Sequence, residues 1–280
     1  MAATQPTHRA IALTVAGSDS GGGAGIQADL KTFEAMGVHG TSAITCITAQ
    51  NPRRVAMVVR VPSGMLRAQL EAVFAELPPG AVKTGMLYSA ENIRVVADFF
   101  SGRRAAPPLV VDPVMIATSG ARLLAPGAVR LLLERLLPLA TLVTPNLDEA
   151  AVLTGRPEPI NTVAAMRTAA RVIHRRFGVA VLLKGGHRPG ARRAVDVFFD
   201  GRRERILSAR FVTGIQTHGT GCTYSAAICA GLAAGCELEA AVVAAKKAMT
   251  AAISGSYLAA GHWVLFPGAA GQKFGRTRRK

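Results

Sequence analysis

The run His218-Gly219-Thr220-Gly221-Cys222, followed by the small-residue stretch Thr223-Tyr224-Ser225-Ala226-Ala227-Ile228, has the residue types of a phosphate site. Two glycines beside a helix start leave backbone N–H groups pointing at one spot, where the unpaired donors and the helix dipole attract an anion. Gly219 and Gly221 keep side chains out of a phosphate's approach. Cys222 falls in the first turn, a position expected to lower a thiol pKa and favour the thiolate. A thiolate there could take the proton of a substrate hydroxyl as phosphoryl transfer begins. A buried structural cysteine behind a glycine turn is the plainer reading of the same residues.

Four other stations carry polar chemistry. The loop Gly17-Ser18-Asp19-Ser20-Gly21-Gly22-Gly23-Ala24-Gly25 lacks the Lys-Ser/Thr of a Walker A motif and the G-x-G-x-x-G spacing of a dinucleotide fold. Its glycines could let a flat substrate lie on backbone, with Asp19 and Asp29 accepting from a ring amine; a flexible turn is the alternative. Asp112 follows the apolar Val110-Val111, at the sheet edge where ligands of open α/β sheets bind. Asn146 and Glu149, after another apolar run, are expected to share a helix face and offer hard oxygens to Mg²⁺. An N-cap Asn with first-turn acids explains them equally simply. Lys184, in Leu183-Lys184-Gly185-Gly186-His187, could neutralise a transferring phosphoryl group or be a solvated strand-end lysine. The absence of Gly-x-Ser-x-Gly leaves a hydrolase reading of His187 and His218 without a nucleophile elbow. An anion hole, a base, acids for a metal and a cation are the parts phosphoryl transfer needs.

The elements that must position these residues alternate along the chain. Short apolar runs predict strands at 11–16, 41–48, 81–83, 109–111, 140–143 and 179–183. Amphipathic stretches between them predict helices at 26–36, 63–76, 90–100, 126–136, 147–153 and 162–177, with two more at 220–234 and 238–258. Asp200-Gly201 between strand-like runs predicts a late antiparallel hairpin. Alternation of this kind implies βαβ units, a mostly parallel sheet and an α/β fold. Half the residues are hydrophobic, enough for a large core, and no linker divides the chain.

The net charge of +16 raises nucleic-acid binding as an alternative. The basic residues are spread out, however, and the one dense run, 273–280, reads as a solvated terminus. Nucleic acid is therefore not the expected partner. Cys46, Cys222, Cys229 and Cys236 include no Cys-x-x-Cys pair, and the last three are seven apart, about 10.5 Å on a helix and too far for neighbours to bridge. A reduced cytoplasmic protein is expected, with no signal peptide and no transmembrane helix.

The chain resembles the hydroxymethylpyrimidine/phosphomethylpyrimidine kinases of thiamine biosynthesis, in the ribokinase superfamily. The resemblance runs from about 11 to 261 and rests on Ala16-Gly17-Ser18-Asp19-Ser20-Gly21-Gly22-Gly23-Ala24-Gly25-Ile26-Gln27-Ala28-Asp29, Ala49-Gln50-Asn51, Lys83-Thr84-Gly85-Met86, Val111-Asp112-Pro113-Val114-Met115, Thr144-Pro145-Asn146-Leu147-Asp148-Glu149-Ala150 and His218-Gly219-Thr220-Gly221-Cys222-Thr223. It implies a three-layer αβα fold with a mostly parallel central sheet, two successive transfers from ATP with Mg²⁺, and a homodimer. It implies that Gly17, Asp29, Gln50 and Met86 line a pyrimidine pocket. Asp112 and Glu149 would hold Mg²⁺, Asn146, Lys184 and Lys246 would lie near nucleotide phosphates, and Cys222, with Gly219, Thr220 and Gly221, would be catalytic. Residues 11–266 are expected to form one kinase domain, after a disordered extension at 1–10 and before a basic tail at 267–280. The chain departs from many such kinases at Thr118 and Ala121, where they carry Lys and Asp. A pyridoxine or pyridoxal kinase of the same fold is the nearest alternative, since both rings carry a hydroxymethyl group.

Overall fold

The computed structural model describes residues 8–115, 124, 126–155, 159–186, 192–215 and 218–271. The first half runs β1 (Ile11–Ala16), α1 (Gly25–Ala35), β2 (His39–Ile44), β3 (Cys46–Asn51), β4 (Arg54–Arg60), α2 (Ser63–Glu76), β5 (Ala81–Thr84), α3 (Ala90–Ser101), β6 (Leu109–Val111) and α4 (Pro126–Leu131). The second runs β7 (Leu142–Val143), α5 (Leu147–Thr154), α6 (Val163–Phe177), β8 (Ala180–Gly185), β9 (Arg193–Phe199), β10 (Glu204–Arg210), α7 (Thr220–Ala233), α8 (Leu238–Ser254), β11 (Tyr257–Ala259) and β12 (His262–Val264).

Eight strands form one sheet in the order β10-β9-β8-β7-β6-β5-β1-β2. Pairing is parallel from β2 to β8 and antiparallel across β8–β9 and β9–β10. The central strands are apolar on both faces, as buried parallel strands must be. Leu13, Val15, Val111, Val181 and Leu183 pack with α2 to α6 on one face. Ala12, Val110, Leu142, Leu182 and Phe198 pack with α1, α7 and α8 on the other. The three-layer αβα expectation holds. Strand order reverses at β1, which lies between β2 and β5. A crevice opens at such a reversal, beyond the carboxyl ends of the strands.

Four expectations change. The strand at 41–48 is two strands, because the chain leaves the sheet at Thr45, whose N–H donates to the Ala16 carbonyl at 3.0 Å and whose hydroxyl donates to the Met86 carbonyl at 2.6 Å. Beyond it β3 pairs with β4, a strand sequence reading missed, as a separate antiparallel ribbon. The helix at 126–136 becomes a π-helical turn at Leu132–Leu136, since Pro138 has no N–H with which to continue an α-helical ladder. The helix at 238–258 stops at Ser254, and a β11–β12 hairpin follows. The termini are held further out than expected: Arg9 pairs with Glu34 at 2.9 Å, and Pro267–Ala270 form a 3-10 turn. The residues at 1–7, 117–121, 187 and 273–280 that figured above lie outside the described residues.

Candidate active site

The crevice is a cleft of about 460 Å³. One wall begins with the glycine-rich loop after β1. Asp19 organises this loop: its carboxylate accepts from the N–H groups of Gly21 (2.8 Å), Gly23 (3.1 Å) and Ala24 (2.8 Å). Burial works to raise the Asp19 pKa, but His218 and these amides hold it below the ordinary range. Asp19 is thus spent on loop backbone rather than free for a ring amine.

The loop is shaped to receive the start of α7. Gly219 has φ 82° and serves as N-cap without a side-chain cap. A Cβ on Gly219 would lie 1.8 Å from the Gly23 carbonyl oxygen, so the two turns touch through bare backbone. The first intrahelical bond runs from Thr223 N–H to Gly219 O at 3.0 Å. Among the described residues, no acceptor takes the N–H groups of Thr220, Gly221 and Cys222. Free amides gathered at a helix start are the geometry that attracts an anion. Cys222 lies beside them in the cleft wall. The expected low thiol pKa is not found: burial pushes Cys222 up to about 11, and Lys83 offsets this only in part.

Asp112 sits just past β6 and is 3% exposed. Its Oδ1 accepts from Lys184 Nζ at 2.9 Å and Thr144 Oγ1 at 3.3 Å, and its Oδ2 accepts from Ser225 Oγ at 3.1 Å. Burial opposes its ionisation, yet Lys184 and Lys83 keep its pKa below the ordinary range. Asn146 and Glu149 do not simply share a helix face; they interlock as the capping box of α5. Asn146 Oδ1 accepts from Glu149 N–H at 2.8 Å, and Glu149 Oε2 accepts from Asn146 N–H at 2.9 Å. Burial pushes the Glu149 pKa up to about 7, with Lys184 opposing and Asp112 adding to the rise. Cys222, Asp112, Glu149, Asn146 and Lys184 all line the one cleft.

At the other end, Gly17, Gln50 and Met86 line the cleft together. Gly17 N–H donates to the Met86 carbonyl at 3.1 Å, and Gln50 Nε2 lies 3.1 Å from His218 Nε2. Asp29 is not in this wall. It is wholly buried, accepting from Lys83 Nζ at 2.7 Å and Thr14 Oγ1 at 2.6 Å. Lys246 reaches the cleft but is committed to buried Asp196 at 2.6 Å. Tyr224 OH also donates to Asp196, at 3.2 Å.

Sequence reading passed over Lys83, Asp196, Tyr224 and the contact of His218 with Gln50. A lone cation within the apolar β5, and a lone acid between Val195 and Val197, were the available signals. The positions of Lys246 and Gln50 depend on packing between elements far apart in the chain.

Sheet order, cleft and glycine turn together define an αβα kinase of the ribokinase-like class. The phosphomethylpyrimidine kinase family model matches residues 19–266. A hydroxymethylpyrimidine/phosphomethylpyrimidine kinase of Rhizobium meliloti is 55% identical over 245 residues, 88% of this chain and 91% of that protein. The crystal structure of a Clostridium difficile phosphomethylpyrimidine kinase matches with TM-score 0.76 and 42% identity, covering 86% of this chain and 98% of the other. An ADP complex of Bacillus subtilis pyridoxal kinase matches with TM-score 0.85 and 39% identity, covering 94% and 98%. This chain belongs to the phosphomethylpyrimidine kinase family.

Proposed function

We propose that the protein transfers a phosphoryl group from ATP to 4-amino-5-hydroxymethyl-2-methylpyrimidine, and a second to the resulting monophosphate, making the diphosphate for thiamine biosynthesis. The observation that carries this reading is the meeting, in one cleft, of Cys222 and three open α7 amides with the Asp112–Lys184–Glu149 cluster. Residues 11–266 act as the kinase unit, in the cytoplasm. Among the described residues no helix is long and apolar enough to cross a membrane.

The ring lies between Gly17, Gln50 and Met86, with the Gln50 amide toward ring nitrogen and amine. Its hydroxymethyl group then faces Cys222. The amides of Thr220, Gly221 and Cys222 hold the phosphoryl group in flight, where charge spreads over its outer oxygens. Lys184 and Asn146 attend the nucleotide phosphates. Lys246 stands further along the wall, where Val212, Ile215, Met249 and Ile253 give an apolar end suited to adenine. Mg²⁺ typically takes one or two carboxylates plus substrate phosphates rather than an all-protein cage. The site fits that habit: among the described residues no three acidic, His or Cys side chains cluster to hold a metal, yet Glu149 and Asp112 line the same cleft. Glu149 and Asp112 would hold the ion, which supplies charge neutralisation at the phosphates.

The test is product analysis with purified protein, Mg-ATP and each alcohol. The pyrimidine should yield mono- and then diphosphate, with kcat/KM well above that for pyridoxal. Preference for pyridoxal, the reading that the likeness to pyridoxal kinase favours, would overturn the assignment.

A homodimer is part of the same reading. Ile47 and Val59 pair across the β3–β4 ribbon, and they are 56% exposed, with Met57, which pairs with Ala49, 63%. Apolar area gathered on one ribbon suits burial against a second copy. Val59→Asp is expected to convert dimer to monomer in light scattering after size-exclusion chromatography, with the far-UV spectrum unchanged. A dimer that survives the substitution assigns the interface elsewhere.

A further inference from the structure

His218 stands where the glycine-rich loop, β3 and the start of α7 meet. It lies directly before Gly219, the N-cap of α7. Its Nε2 is 3.1 Å from the side-chain nitrogen of Gln50 on β3 and 3.4 Å from Asp19 Oδ2. A Cβ on Gly23 would meet its Cδ2 at 3.2 Å, so the ring is seated on the glycine-rich loop. The same loop clamps the Gln50 backbone. Gln50 N–H donates to Ser20 Oγ at 2.8 Å, and that hydroxyl donates to the Gln50 carbonyl at 2.7 Å.

One ring nitrogen cannot serve both neighbours in every protonation state. An ionised carboxylate only accepts, so Nε2 satisfies Asp19 only when it carries a hydrogen. The amide can meet either state, because half a turn about its last bond exchanges oxygen and nitrogen. Asp19 cannot turn away: the N–H groups of Gly21, Gly23 and Ala24 pin its two oxygens. The carboxylate therefore decides. Nε2 donates, and the Gln50 amide sets its oxygen toward His218 and its NH₂ away.

We propose that His218 is a positioning residue that fixes the direction of the Gln50 amide and so selects a ring with an amine beside its hydroxymethyl group. The inference rests on the pyrimidine reading and deepens it. In 4-amino-5-hydroxymethyl-2-methylpyrimidine the amine lies between the hydroxymethyl carbon and a ring nitrogen, so donor precedes acceptor around the ring. The hydroxymethyl end faces Cys222, in the turn that follows His218. Gln50 Oε1, on the His218 side, then accepts from the amine, and the NH₂ donates to the ring nitrogen beyond. In pyridoxal an aldehyde stands beside the hydroxymethyl group. Its oxygen would face Oε1, acceptor against acceptor. His218 touches no reacting atom in this arrangement; it acts through Gln50.

The test compares kcat/KM for the pyrimidine and for its analogue lacking the 4-amino group, in the full-length wild type and in His218→Phe, which keeps a ring over Gly23 without a donor. The wild type should prefer the amine-bearing ring. His218→Phe should lose about tenfold on that ring, through KM, and little on the analogue, so the preference shrinks by the same factor. His218→Gln, whose amide nitrogen can reach the place of Nε2, should restore most of it. A merely structural role slows both substrates alike, so equal losses or an unchanged preference overturn the proposal. Long-range proton–nitrogen correlation spectra read the tautomer independently, the signal absent from His218→Gln marking His218. Hydrogen on Nε2 supports the proposal and a bare Nε2 overturns it, whether or not the phenylalanine variant folds. A wild type that phosphorylates neither pyrimidine refutes the kinase assignment instead, and the nitrogen spectra still judge His218.

Discussion

Cys222→Ala should slow the first phosphorylation by about a hundred- to ten-thousand-fold, the usual contribution of a positioned acid–base group, while ATP still binds. The second phosphorylation should suffer much less. Its acceptor is a phosphate monoester whose second pKa is about 6, so at pH 7.5 the attacking oxygen already carries its charge and needs no base. The variant should therefore convert added monophosphate to diphosphate while failing on the alcohol. Rapid-quench or coupled assays with each acceptor separate the two steps. Equal losses on both would make the sulfur a packing or phosphate-contact group, and near-normal turnover on the alcohol would remove it as base. The thiol's elevated pKa sharpens the point, because the unliganded enzyme keeps the proton at neutral pH and must offset its loss with the charges around it.

Gly219→Ala is expected to be the most damaging single methyl group in the molecule. A non-glycine residue at φ 82° costs roughly 1–2 kcal/mol, and this Cβ would also fall 1.8 Å from the Gly23 carbonyl oxygen. Neither backbone can yield without displacing either the Asp19-braced loop or the first turn of α7. Stability should fall by about 2–4 kcal/mol, and transfer of the phosphoryl group by about a hundred- to a thousandfold as the amides lose their aim. Gly221→Ala is the control. Its Cβ would meet Lys184 Nζ at 3.3 Å and Asp112 Oδ2 at 3.7 Å, with no positive φ. It should keep nearly all the melting temperature yet raise the KM for ATP. Thermal melts that rank the two variants equally would contradict the close backbone approach assigned to Gly219.

Much of this architecture was legible because local chemistry and global packing agree. Val110-Val111 followed by Asp112 reads as a buried strand delivering an acid to the sheet edge, and that is where Asp112 lies. Gly219 and Gly221 announced the turn that opens α7. What escaped reading depended on partners distant in sequence. Nothing around Asp29 reveals that Lys83 will meet it, so a carboxylate expected to line a pyrimidine pocket is instead buried against Lys83. The strand expected at 41–48 hid a change of sheet that Thr45 brings about through bonds to Ala16 and Met86. The thiol pKa was misjudged for a similar reason: the helix end is visible in sequence, but the burial that overrides it is not.

The contact of Gly23 with Gly219 joins a turn near the beginning of the chain to one near its end. A growing polypeptide therefore cannot close this wall of its cleft on the ribosome until α7 has emerged, however well the earlier strands have paired. Activity should appear as an abrupt event in a series of progressively longer translation products, and no fragment ending before that helix should turn over nucleotide.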